Sequence, residues 1–267
     1  MEPPASPQGS KTPMLRTLFI SFFLSIYILL VGPPLIIYTL ITNNPDPIYW
    51  AGINGVMFFV RLAGVKVRVS GTERIPPGTC LFVANHTSAM DAPAVVGAIP
   101  RRIAILLKES LFRWPVVGRA FRSARFIPVD RKSRESAISS VDKATVAMRN
   151  GQSFLIYPEG TRSPDGRLQP FKKGAVMMAI NAGVHIVPVA CSGAHRVMVK
   201  KSLVIHPEEI LVEFLEPIDA SKFSLVQREA LNDLVHDAMA GGLPPGQRPV
   251  GFAGGEDAAS PATETSA

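Results

Sequence analysis

Apolar and polar residues follow two textures along this chain. From 17 to 41 there are 25 residues without a charge (TLFISFFLSIYILLVGPPLIIYTLI). As a helix this run measures about 37 Å, against a hydrocarbon core of about 30 Å. Gly32-Pro33-Pro34 predicts a kink or a break in it, giving either one tilted span or a broken, re-entrant anchor. Lys11 and Arg16 precede the run and Arg61 follows it, a balance that leaves topology open. No small-x-small cleavage site follows a short apolar stretch, which argues against a signal peptide. Residues 48–64 (IYWAGINGVMFFVRLAG) predict a second helix. Tyr49 and Trp50 at its start suit a membrane interface, although an ordinary core helix has the same pattern.

From residue 65 short β-like runs alternate with helical ones. Strands are expected at 65–69, 80–84, 102–107, 125–129, 153–157, 186–190, 203–206 and 210–215, and helices at 91–98, 134–149, 171–182 and 224–240. Ile138, Val141, Thr145 and Met148 recur at helical spacing in the second of these helices, with Arg and Lys between them. Strand–helix alternation points to an α/β fold: a mostly parallel sheet flanked by helices, behind an N-terminal hydrophobic, membrane-anchoring helical segment. The expected division is a disordered N-terminus at 1–13, an anchoring helical region at 14–64, a folded domain at 65–240 and a disordered tail at 241–267. In that tail 19 of 27 residues are Gly, Pro, Ala, Ser or Thr, too few apolar side chains to build a core.

Composition narrows the function. The chain has 267 residues, 47% apolar and 18% charged, which excludes whole-chain disorder. Its two cysteines, Cys80 and Cys191, exclude a disulfide scaffold and have no zinc-ligand spacing. The net charge of +7 is concentrated: residues 101–173 hold 16 Lys+Arg and 6 Asp+Glu, or +10, leaving −3 for the rest. A basic segment calls for an anionic partner, whether nucleic acid, anionic lipid or a phosphorylated substrate. No helix-turn-helix, RNP-like aromatic run or zinc signature accompanies it, so no nucleic acid is expected.

Four segments could carry chemistry. Asn85-His86-Thr87-Ser88-Ala89-Met90-Asp91 follows the apolar run CLFVA and precedes a helix. A histidine at a strand's carboxyl end faces the crevice where α/β sheets bind ligands, and it can take a proton from a hydroxyl near neutral pH. A carboxylate five residues on can orient the imidazole, with His86 before the helix and Asp91 in its first turn. A turn histidine and a helix-start aspartate would look the same. Tyr157-Pro158-Glu159-Gly160-Thr161-Arg162-Ser163 follows SFLIY. Arg162 suits bidentate binding of a phosphate, Gly160 permits close backbone approach and Thr161 adds a hydroxyl. Glu159 is out of place beside an anion unless it orients Arg162 or a substrate hydroxyl. Such a heptad also describes a plain surface turn. Arg125-Phe126-Ile127-Pro128-Val129-Asp130-Arg131 is a strand flanked by arginines, which would add positive charge at the same sheet edge. Ile186-Val187-Pro188-Val189 lines the pocket or simply packs the core.

These motifs, in this order, resemble the glycerophospholipid acyltransferase family, and within it the bacterial 1-acyl-sn-glycerol-3-phosphate (lysophosphatidate) acyltransferases. The resemblance covers roughly residues 65–215 and makes 65–240 a catalytic domain. It implies transfer of a fatty acyl group from acyl-CoA or acyl carrier protein, as co-substrate, to the sn-2 hydroxyl of 1-acyl-sn-glycerol-3-phosphate, giving phosphatidic acid for phospholipid biosynthesis. It implies no metal and no cofactor. His86 is then the general base and Asp91 its partner. Glu159, Gly160, Thr161 and Arg162 hold the acceptor phosphate, joined by Arg131 and Arg125. The family's middle motif often opens with Gly, where Ser123-Ala124-Arg125 stands here, which ranks Arg125 below Arg131 and Arg162. Lys108 lies in a basic stretch and receives no role. The implied partners are a lysophospholipid, the acyl donor and membrane lipid, with the catalytic domain on the cytoplasmic face of a bacterial inner membrane. The alternatives are an acyltransferase for another acceptor (glycerol-3-phosphate or another lysophospholipid) and a non-catalytic, membrane-bound lipid-binding protein.

Overall fold

A computed structural model describes residues 11–130 and 134–252. Helices α1 (Lys11–Thr42) and α2 (Asp46–Leu62) come first. Then follow β1 (Lys66–Ser70), β2 (Cys80–Ala84), α3 (Asp91–Ala98), β3 (Ile103–Lys108), α4 (Pro115–Ser123), β4 (Ile127–Val129), α5 (Arg134–Arg149) and β5 (Ser153–Ile156). The domain ends with α6 (Gly174–Ala182), β6 (His185–Ser192), α7 (Ala194–Val197), β7 (Glu209–Phe214), β8 (Ile218–Asp219) and α8 (Arg228–Gly242). One sheet runs β1-β7-β6-β2-β5-β3-β4. The five strands from β6 to β4 are parallel, and β7 turns antiparallel to β6, with β1 parallel to β7. The expected α/β architecture is therefore the one observed.

Burial on both faces explains the near-continuous apolar strands. In β2, Cys80, Phe82 and Ala84 pack with the core shared with α2 and α3, whereas Leu81 and Val83 pack with the core of α5, α6 and α8. Pro188 falls inside β6, between its pairing with β8 (through Ile186) and with β7 (from Val189), where a missing N–H is tolerated.

Several expectations change. Helix α1 runs without a break through Pro33 and Pro34, so the broken form is not found. Its neighbours hold it. Tyr27 Oη donates to Ala51 O at 2.9 Å, and a Cβ at Gly55 would lie 2.3 Å from the Tyr27 ring, so only glycine lets α1 and α2 approach this closely. Residues 203–206 are not a strand. Ile205 bonds instead to α1: its N–H donates to Thr17 Oγ1 (3.0 Å) and its carbonyl accepts from Arg16 Nη2 (3.1 Å). Helix α4 was not expected. Its signal was Pro115 at the first helical position, hidden by the arginines around it. The expected disorder at 1–13 and 241–267 is corrected in part. Residues 11–13 are helical, and 241–252 are ordered on the domain with Leu243 and Gln247 buried. Residues 1–10 and 253–267 lie outside the described residues.

Candidate active site

The carboxyl ends of β6, β2 and β5 lie side by side, so the segments that follow them meet. His86 lies two residues past β2 and before α3, and Asp91 is the first residue of α3. Asp91 is fully buried, and its carboxylate is saturated. Oδ2 accepts from His86 Nδ1 (2.9 Å), Thr87 N (2.6 Å) and Ser88 N (2.8 Å). Oδ1 accepts from Thr87 Oγ1 (3.3 Å) and the Cys191 thiol (3.7 Å). A buried charge needs such a set of donors, and this one fixes the loop that leads into α3. With Nδ1 donating to Asp91, Nε2 of His86 carries the free lone pair.

The backbone of His86 is gripped from β5's loop. Its N–H donates to Glu159 Oε1 at 2.6 Å, and its carbonyl accepts from Ser163 N at 2.7 Å. Its ring stacks on Tyr157, with centroids 4.3 Å apart. Glu159 is buried, so it does not face substrate as expected; it positions His86. Burial pushes its carboxyl up to about 8, against the pull of amides from His86 and Gln169 and with a further push from the Asp91 charge. This shift favours the neutral carboxyl near pH 7, which eases the conflict of an acidic residue beside an anion. Burial also raises the Tyr157 phenol, and it raises the Cys191 thiol well above its ordinary range, with Asp91 adding in both cases.

Gly160 adopts φ +74°, and a Cβ there would lie 2.8 Å from Lys172 Nζ, so the lysine side chain lies directly across the turn. Arg162, two residues on, is half-buried. Neither the Arg162 guanidinium nor the Lys172 ammonium forms an ion pair among the described residues. Both cations are therefore available to an anion. Lys200 Nζ donates to the Arg162 carbonyl at 2.7 Å and fixes the backbone there. Thr161 is exposed beside them.

Arg125 is not at this edge. It stands at the amino end of β4, beyond Phe126, whereas the site lies off the carboxyl ends of the parallel strands. It closes α4 with φ +62°, and the Phe126 N–H returns to Phe121 O at 2.9 Å, a turn that favours glycine. Arg131 lies outside the described residues. Lys108 ends β3 at the site's edge and is exposed.

Residues without an assigned role complete the site. Asn85 is buried, and its carboxamide pairs with both backbone groups of Cys191: Nδ2 donates to the carbonyl (2.8 Å) and Oδ1 accepts from N–H (2.7 Å). The side chain thereby extends the β2–β6 pairing by one rung and sets the thiol beneath Asp91. Adjacency to His86 was the only sequence signal for Asn85. For Cys191 it was position at the end of an apolar strand, and for Lys172 the basic pair soon after the Glu159–Arg162 turn.

The comparisons agree with this geometry. The acyltransferase family model matches residues 66–192. The 1-acyl-sn-glycerol-3-phosphate acyltransferase of Borreliella burgdorferi is 33% identical over 179 residues, covering 67% of this chain and 72% of that relative. The Limnanthes alba enzyme of the same description is 31% identical over 191 residues, covering 71% and 68%. The crystal structure of the 1-acyl-sn-glycerophosphate acyltransferase PlsC from Thermotoga maritima superposes with a TM-score of 0.72 at 27% identity, over 86% of this chain and 95% of that one. Fold, motif order and relatives concur, and the chain belongs to the family of 1-acyl-sn-glycerol-3-phosphate acyltransferases.

Proposed function

We propose that this enzyme carries an acyl group from a soluble thioester, acyl-CoA or acyl carrier protein, to the sn-2 hydroxyl of 1-acyl-sn-glycerol-3-phosphate at a membrane surface, with His86 as general base. The observation that carries this reading is the 2.9 Å contact of His86 Nδ1 with the buried Asp91 carboxylate, which leaves Nε2 as the proton acceptor. Nε2 takes the hydroxyl proton as the oxygen attacks the thioester carbonyl. The tetrahedral intermediate collapses by breaking the C–S bond, and the imidazolium returns its proton to the departing thiolate. Asp91 stabilises that imidazolium. No acyl-enzyme is needed, and Cys191, fully buried and kept protonated, is not a nucleophile. The scheme requires a proton acceptor and positioning, with no metal or cofactor. Arg162 and Lys172 hold the acceptor phosphate.

Membrane association rests on α1 and α2. Leu30, Leu40 and Ile41 are 70%, 75% and 79% exposed, and Phe19, Phe22 and Phe58 also face outward. A water-exposed apolar face of this size is unfavourable unless lipid covers it. Thr17 bonds to the domain near one end of α1, and Gly32 packs on Val116 of α4. These contacts are about 22 Å apart along the helix. A helix held along this length by a water-facing domain lies in one leaflet more readily than it spans the bilayer. A predominantly apolar cavity of about 220 Å³ between α1, α2 and α4, lined by Leu24, Val31, Gly52 and Phe121 among others, has the character of an acyl-chain site. A soluble thioester donor supports a domain on the cytoplasmic face.

The test is an assay of purified, detergent-solubilised enzyme with labelled acyl-CoA and acyl carrier protein, offering lysophosphatidate, glycerol-3-phosphate and lysophosphatidylethanolamine side by side. Turnover of lysophosphatidate, reduced at least 10²-fold in a folded His86→Ala variant, is expected. Near-parental turnover in that variant would overturn the base assignment, and preference for another acceptor would overturn the phosphate reading.

A further inference from the structure

We infer that the C-terminal segment 243–248 is a strap that sets the phosphate-binding turn, with Gln247 as its positioning residue. This inference rests on the reading of Arg162 as a ligand of the acceptor phosphate. Composition marks this stretch as inert, yet Gln247 is only 5% exposed and bonds in several directions. Its Nε2 donates to Gly166 O (3.3 Å), its Oε1 accepts from Gly193 N (3.4 Å), and its carbonyl accepts from Leu168 N (2.8 Å). Arg167 Nη1 donates to the Arg248 carbonyl at 3.0 Å, beside the same turn.

The residues that Gln247 holds continue the Glu159–Ser163 loop. Gly166 N donates to Ser163 Oγ at 3.1 Å, Ser163 Oγ donates to Asp165 Oδ1 at 2.9 Å, and Ser163 N donates to His86 O at 2.7 Å. A chain of hydrogen bonds thus runs from Gln247 through Gly166 and Ser163 to the backbone of the base, and Arg162 immediately precedes Ser163 in the same loop. Oε1 of Gln247 reaches Gly193, which follows β6, so one buried carboxamide joins the loops after β5 and β6. The strap is anchored independently. Leu243 is buried among α6, α8 and the sheet, and Arg248 Nε donates back to the Leu243 carbonyl at 2.8 Å. Gln247 touches no reacting group in this scheme. It acts through the loop, and its loss frees the loop without removing any cation.

The experiment compares the full-length enzyme, Gln247→Ala, a chain ending after Phe252 and a chain ending after Gly242. Acceptor KM, donor KM, kcat and Tm are measured for each, with amide hydrogen exchange over residues 160–168. Gln247→Ala is expected to raise acceptor KM about fivefold with donor KM unchanged, and to speed exchange at Gly166 and Leu168 while Tm moves little. The chain ending after Phe252 keeps the strap and matches the full-length enzyme; the one ending after Gly242 reproduces the alanine phenotype or a stronger one. A folded Gln247→Ala enzyme with parental acceptor KM and parental exchange overturns the strap, as does an equal change in both KM values. Arg162→Ala is run alongside. If it leaves acceptor KM unchanged, the phosphate reading fails; if it raises acceptor KM and Gln247→Ala does not, only the strap fails.

Discussion

Arg162 and Arg125 both come from sequence motifs and both bear the charge an anionic acceptor needs, but the fold treats them oppositely. Arg162 lies in a loop with fixed surroundings: Lys200 holds its carbonyl, Ser163 grips His86, and Glu159 is buried against the same residue. Arg125 is exposed at the other end of a three-residue strand, in a backbone conformation that glycine would prefer. Charge is therefore not what makes a binding residue here. The carboxyl edge sets Arg162 beside the His86 loop and a second cation unpaired among the described residues, Lys172; the start of β4 holds the backbone of Arg125 in a helix-closing turn away from both.

The largest test of that difference is at the dyad. Asp91→Asn would aim an NH2 group at donors, since every group around this carboxylate donates: His86 Nδ1, Thr87 N, Ser88 N, Thr87 Oγ1 and the Cys191 thiol. The imidazole loses its orientation and its counter-charge. We expect kcat to fall about 10³–10⁴-fold, with a lowered Tm that records the unsatisfied buried donors. A drop in Tm without the loss of kcat in the folded fraction would make Asp91 structural alone. Arg162→Ala comes next: acceptor KM should rise about 30-fold, corresponding to about 2 kcal/mol for a charge-assisted contact, with donor KM little changed. Equal changes in both would place Arg162 outside the acceptor's phosphate site.

Which parts of this were legible beforehand follows from how local their signals are. The helices at Asp91–Ala98 and Arg134–Arg149 begin and end where the pattern predicts, because apolar spacing and flanking turns lie within each segment. His86 and Asp91 were legible because a strand end and a helix start fix both within five residues. Long-range pairing was not. Residues 203–206 look like a strand, but Thr17 and Arg16, 188 and 189 residues away, take the backbone bonds of Ile205, and the Val204 and His206 amides donate to Ser202 Oγ and the Val197 carbonyl. The role of Glu159 depends on burial, which no local pattern reveals, and the same holds for Asn85 and Cys191. Gln247 carries no signal at all in a stretch of Gly and Pro.

Burial of Glu159 has a measurable pH consequence. Its carboxyl, ordinarily near 4.5, is raised to about 8 in the folded chain. Between those values the native state binds the proton and the unfolded chain releases it, so this residue makes stability fall as pH rises, by at most about 1.4 kcal/mol per unit. The stability is fully present below 4.5 and lost as pH approaches 8. Glu159→Gln keeps an acceptor for the His86 and Gln169 amides and cannot ionise. Its denaturation midpoint should vary less with pH than the parent's over this window, with the gap in its favour widest near pH 8. Parallel curves would show that Glu159 is ionised in the folded protein.

The smallest effect is at Arg125. Its φ of +62° costs an L-residue about 1 kcal/mol relative to glycine. Arg125→Gly should therefore stabilise the protein by about that amount, or about 2–4 °C in Tm. Arg125→Ala removes the same guanidinium but keeps a side chain in the left-handed turn, so it should gain nothing. The pair separates charge from backbone. If Arg125 contacts the acceptor phosphate, both variants raise acceptor KM together whatever happens to Tm. If the start of β4 lies apart from the site, as its place in the sheet requires, acceptor KM stays parental in both and only the glycine variant melts higher. That outcome would leave position 125 as a turn that favours glycine, with no role in binding an anion.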